Sequence, residues 1–112
     1  MHLTPDILEA TYDWLRALPP FRRWKLPPGE EVEFGVLATA DRFGDCVVSP
    51  DEVRIRVSGG KVKLPATLVR TMAHEMCHIR AFRQGESAEH GRRWRRAADQ
   101  VCRLHGFDPK EF

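Results

Sequence analysis

A chain of 112 residues, 42% of them hydrophobic, can bury one core of ordinary domain size and leaves no room for a second, so residues 1–112 read as a single domain. Lys and Arg number 18 against 16 Asp and Glu, a formal net charge of +2, which excludes a wholly basic arm or acidic tail as the main theme. Three isolated cysteines, Cys46, Cys77 and Cys102, with no C-x-x-C pair, argue against a disulfide framework and for a reducing, cytoplasmic setting.

The first residues carry Asp6 and Glu9 where a signal peptide needs a basic patch and then an apolar run. No later stretch approaches the roughly 20 apolar residues of a membrane span, so no membrane partner is expected. Thr4 followed by Pro5 has the form of a helix N-cap with proline at the first helical position. Ile7, Leu8, Thr11, Trp14, Leu15 and Leu18 then recur at helical spacing until Pro19-Pro20, which predicts a helix over 5–18. Residues 19–29 hold four prolines around Phe21 and Trp24 and read as an extended connection. These first 30 residues precede a sheet expected over 31–64.

From Glu31 the period changes to two. Val32, Phe34 and Val36 alternate with Glu31, Glu33 and Gly35, Phe43 to Val48 is a second candidate strand, and Glu52 to Val57 alternates without a fault. Ser58-Gly59-Gly60 followed by Lys61 to Leu64 predicts a tight return into a short partner strand. The expected sheet is small and mainly antiparallel. Pro65 then opens a run in which Leu68, Val69, Met72, Met76, Ile79 and Phe82 share one side, ending near Gly85. After Ser87, a candidate cap, Trp94, Ala97, Ala98, Val101 and Cys102 form another stripe that runs out at Gly106. The fold class is α+β, with zinc-binding helices expected over 65–112.

Inside the helix that starts at Pro65 lies His74-Glu75-Met76-Cys77-His78, an H-E-x-x-H motif in the helical setting it requires. Positions i and i+4 are about 40° apart around the axis and about 6 Å along it, so two imidazoles can converge on one tetrahedral metal. Glu75 can then reach a metal-bound water, whose pKa zinc lowers to about 7, and take its proton during attack on a carbonyl. A catalytic zinc usually keeps three protein ligands. Gln84 occupies the position where the compact H-E-x-x-H-x-x-G-x-x-H pattern has its last histidine, which excludes that class. His90, 12 residues after His78, leads as third donor; Glu86 and Glu89 compete, and His105 is more distant. The alternative is two ordinary helical histidines with Glu75 as a helix former.

His74-Glu75-Met76-Cys77-His78 followed by His90-Gly91-Arg92-Arg93-Trp94 resembles the paired H-E-x-x-H and H-G-x-x-[F/W] motifs of SprT-like and Spartan-type zinc metalloproteases. The resemblance covers roughly residues 34–104. It implies a zincin-like fold, Zn2+ held by His74, His78 and His90, Glu75 as general base, and a substrate cleft lined by the strand before the active-site helix. It also implies protein substrates that include proteins crosslinked to DNA. The cysteine-rich zinc ribbon that many relatives carry is not present in these 112 residues.

An edge strand over Glu52 to Val57, with Val53, Arg54 and Ile55 as contacts, is expected to pair with an extended protein or peptide substrate. Residues 61–112 carry 11 basic and 6 acidic groups, and Arg92, Arg93, Arg95 and Arg96 form the densest cluster. Non-specific attraction to DNA is the most this supports, and a solvated helix face is the plainer reading. Trp14, Trp24 and Trp94 read as core or rim packing. The function expected is zinc-dependent peptide hydrolysis. The rivals are a non-catalytic, zinc-stabilised module for nucleic acid or protein, and a metallohydrolase of non-peptide substrates.

Overall fold

The computed structural model describes residues 1–112 as three helices and a three-stranded sheet. Helix α1 (Pro5–Arg16) is capped by Thr4, whose Oγ1 accepts from the Ile7 N–H at 3.2 Å, as the Thr-Pro start dictates. Its buried face is Leu8, Tyr12 and Leu15, whereas Ile7 and Trp14 are exposed. The buried stripe is therefore rotated from the expected one. Tyr12 replaces Trp14 inside because its hydroxyl donates to the Pro27 carbonyl at 2.6 Å, removing the penalty of burying that polar end.

Two short 3-10 turns, Phe21–Arg23 and Gly29–Glu31, carry the chain to strand β1 (Glu33–Leu37). Strands β2 (Gly44–Val48) and β3 (Val53–Ser58) follow. The spatial order is β1-β3-β2, with β1 parallel and β2 antiparallel to β3. This topology corrects two expectations. The sheet is mixed rather than mainly antiparallel, and β3, which carries Val53, Arg54 and Ile55, is its centre rather than its edge. Both sides of β3 are already paired, so those residues cannot offer backbone groups to a substrate strand. The free edge near α2 belongs to β2. Ile55 and Val57 of β3 are fully buried.

Residues 61–64 also depart from expectation: no strand forms there. The Lys61 N–H donates to Ser58 Oγ, Val62 N–H to Ser58 O, and Gly59 N–H to Leu37 O. The backbone groups that a hairpin ladder needs are spent on a turn over the end of β1. Val62 is buried by this turn and the chain leads straight into helix α2 (Pro65–Arg83).

Helix α2 packs on β2 and β3 and, on another side, against helix α3 (Arg92–His105). Enclosure from two directions explains why Leu68, Met72, Met76 and Ile79 are joined in the interior by Thr71, Ala73, Glu75, Cys77 and Ala81. The Cys77 and Cys102 thiols are buried as small apolar groups, as the sequence suggests. Helix α3 ends at Gly106, whose φ of 77° supplies the left-handed cap. No helix is long and apolar enough to cross a membrane.

The approach of β2 to α2 depends on Gly44. A Cβ there would lie 2.6 Å from the Arg56 carbonyl oxygen, 3.2 Å from Thr71 Cγ2 and 3.3 Å from Glu75 Oε2. The next residue, Asp45, clasps Arg56 of β3 through both carboxylate oxygens, at 2.9 and 2.6 Å. This pairing, together with Arg42, holds the Asp45 carboxyl below its ordinary range. Replacing Gly44 by Ala is expected to cost about 1–3 kcal/mol, readable as a lower urea midpoint; an unchanged midpoint would show that the strand can retreat freely. Because the folded Asp45 pKa is depressed, its contribution is complete above the unfolded value of about 4 and disappears as pH falls below it. Asp45→Asn is therefore expected to flatten the acid limb of a stability-against-pH profile, and an identical limb in both proteins would contradict the role given to this pair.

Candidate metal centre

Helical geometry puts His74 and His78 one turn apart on α2, both half-buried, with Glu75 between them in sequence and only 4% exposed. His90 comes from the connection between α2 and α3, two residues before α3 begins, rather than from a helix. It is nevertheless brought over α2. The ring centroid of His90 lies 5.2 Å from that of His74 and 4.9 Å from that of His78. One nitrogen from each of His74, His78 and His90 falls within 4.8 Å of the other two, so the three can hold a metal ion.

The connection is fixed by Glu86. Its Oε1 accepts the Arg93 N–H at 2.9 Å and its Oε2 the Trp94 N–H at 3.0 Å. Two of the otherwise unpaired donors at the start of α3 are thus satisfied by one carboxylate from outside the helix. Those two bonds hold the Glu86 carboxyl below its ordinary pKa, against a smaller opposing effect of burial. The expected cap, Ser87, does not serve; Gly91 is the cap residue, and its missing side chain leaves the space in which the Glu86 carboxylate sits. Glu86 is thereby occupied with the helix and stands apart from the three histidines. The sequence carries a sign of this only in the seven-residue reach from Glu86 to the first turn of α3, which local capping rules do not cover.

His74 is oriented from behind. Its Nδ1 lies 2.5 Å from the main-chain carbonyl oxygen of Phe112, so Nδ1 carries the proton and Nε2 keeps its lone pair, the usual outer partner of a metal-binding imidazole. The Trp94 and Phe112 rings lie against His74, at centroid distances of 4.9 and 5.5 Å. Trp94 is buried and roofs the cluster, as rim packing requires, while Trp24 is buried elsewhere in the core. Burial lowers the pKa of His74, the Phe112 contact opposing it, and burial with the neighbouring His74 and His90 brings His78 down to about 4. Both rings are neutral at physiological pH, the state in which imidazole donates to a metal.

Glu75 opens on a cleft of about 420 Å3 walled by β2 on one side and the α2–α3 connection on the other, with His74, His78, Gly44, Asp45 and Glu89 among its lining. No cation pairs with Glu75. Burial first, then Asp45 and Glu89, raises its carboxyl to about 8. Burial of an unpaired carboxyl in a cleft makes Glu75 a candidate functional group. Glu89 lines the same cleft but, like Glu86, contributes no atom to the three-nitrogen cluster.

His105 is excluded from the site: its Nε2 lies 2.6 Å from the Pro19 carbonyl and its ring is beside Phe21 and Phe107. Tyr12 is likewise committed to the core. Arg92, Arg93, Arg95 and Arg96 are exposed on α3 and enter no ion pair. The connection that presents His90 and the carbonyl of Phe112 are the two parts of the centre that periodicity could not supply.

No curated protein and no solved structure matches the chain. A family model described as the SprT-like family matches residues 21–111, which include the whole sheet, all three histidines and Glu75. The chain belongs to the SprT-like family.

Proposed function

We propose that the protein is a zinc-dependent metallopeptidase of zincin-like fold in which His74, His78 and His90 hold the metal and Glu75 is the general base. The observation that carries this reading is the meeting of three imidazole nitrogens and one buried carboxylate at the floor of an open cleft. Three imidazole nitrogen donors suit zinc, and a cluster of three protein donors fits a catalytic site better than a closed structural one. Bound there, zinc would polarise a carbonyl and acidify water.

The rest of the chemistry falls to the chain. Glu75 takes a proton from the attacking water and returns it to the departing amine nitrogen. A divalent charge beside it favours the ionised form and offsets the effect of burial. Phe112 and Trp94 hold His74 in one tautomer and one orientation. The outer edge of β2, unpaired by the sheet and alongside the cleft, is the backbone that an extended protein or peptide substrate would join. This transfers the role first given to Val53, Arg54 and Ile55 to the neighbouring strand. The exposed and unpaired Arg92, Arg93, Arg95 and Arg96 support non-specific contact with DNA as a further part of the proposal.

Glu75→Gln is expected to retain metal and thermal stability while losing about 10²- to 10⁴-fold in cleavage of a denatured protein; parental turnover in that variant would end the peptidase reading. His90→Ala is expected to weaken zinc affinity by more than about 100-fold, beyond the effect of losing an orienting partner, whereas His105→Ala leaves it unchanged. Equal affinities in the two variants, measured by competition with a chromophoric chelator, would remove His90 from the ligand set.

A further inference from the structure

A second hollow, of about 150 Å3, meets the large cleft at Gly44, His74 and Glu75 and continues past them toward the start of α2. Phe43, Arg70, Thr71, Glu111 and Phe112 complete its walls. Together the two form a groove along β2 and α2 with the candidate centre between unequal arms. The wide arm carries Asp45, Glu86 and Glu89, with Arg42 as its one arginine. The narrow arm has a single permanent cation, Arg70, one helical turn before His74.

Arg70 is prepared for an anion. Its guanidinium lies over the Phe43 ring at 5.5 Å, with Lys61 over the same ring at 4.5 Å, and the side chain is 24% exposed. A carboxylate already visits it: Glu111 Oε2 stands 3.5 Å from Arg70 Nη1. The next residue, Phe112, places its carbonyl on His74. The segment thus presents an acidic side chain to Arg70 and a main-chain carbonyl beside the centre, the pair of features an acidic peptide in this arm would present. Glu111 is 65% exposed, and a pair with one partner so exposed and at this distance is weak and readily exchanged.

We propose that Arg70 is a specificity-determining residue that receives a substrate carboxylate in the narrow arm, where Glu111 now stands in for it. The proposal rests on the peptidase reading for the cleavage step, but not for binding itself. The carboxylate is an Asp or Glu side chain or the free end of a peptide; both offer a guanidinium the same pair of oxygens. Glu89, the wide-arm carboxylate that no cation or backbone donor engages, disfavours the reversed placement of an acidic residue, so the groove selects a direction as well as a side chain.

The test uses fluorescent peptides that share one sequence and carry Glu, Gln or Lys in turn at each position around a central peptide bond, with free-acid and amidated ends. They are bound to the zinc-loaded full chain carrying Glu75→Gln and cleaved by the parent chain. At one position Glu should bind about tenfold more tightly than Gln, or the free acid than the amide if the peptide's end is the ligand. Arg70→Gln should bring that ratio to about one, and Arg70→Glu should turn the preference toward Lys. The same ratios in parent and Arg70→Gln would overturn the proposal. Should the Arg70 variants not fold, Glu111→Gln decides: losing the internal competitor should raise affinity for the Glu peptide several-fold, and an unchanged affinity rejects the assignment. Absence of cleavage by the parent would count against the peptidase reading alone, because the binding ratios judge Arg70 independently.

Discussion

The candidate site depends on a carboxylate held where water cannot fully solvate it. Glu75 is 4% exposed, without a cation, beside two neutral imidazoles. Raising its pKa from 4.5 to about 8 corresponds to about 5 kcal/mol against the ionised form. A fold assembled for stability alone would place an apolar side chain there. The enclosure of α2 that imposes this burial comes from the sheet on one side and α3 on another, and Gly44 allows the sheet to come so close.

The third histidine is a consequence of the same economy of contacts. His90 is exposed and belongs to no regular element, so nothing in its own backbone secures its direction. Its position comes from Glu86, which fastens the connection to the first turn of α3, and from Trp94, whose ring lies 4.3 Å from that of His90. Helix α3 is thus more than a supplier of apolar surface. It anchors both ends of the connection that brings the last donor over α2.

Much of this was legible in the residues. The N-cap at Thr4, the bounds of α2, the end of α3 at Gly106 and the H-E-x-x-H face follow from local rules of capping and spacing, which act within a few residues, whereas the start of α3 was set by Glu86 and Gly91 rather than by Ser87. The family follows from paired motifs. What was not legible depended on partners distant in sequence. Trp14 and Tyr12 fit helical spacing equally well, and the choice between them was made by a carbonyl at Pro27. Lys61 to Leu64 had strand character, but Ser58 accepts from the Lys61 and Val62 N–H groups and turns the segment instead. The alternation of Glu52 to Val57 identified a strand without saying whether it lay at the edge or the centre. Placing β3 in the middle required the parallel partner β1, which no turn signal announces. For the site, the donors could be read as types and spacings, whereas the orienting carbonyl of Phe112 has no side-chain signature at all.

The number of protein atoms that hold the ion separates a catalytic centre from a structural one. Zinc K-edge absorption on the loaded 112-residue chain measures this directly. One zinc per chain with three imidazole nitrogens and one light-atom position free of protein is the predicted result. A closed shell of four protein ligands, or two imidazoles with His90 turned away, would contradict it.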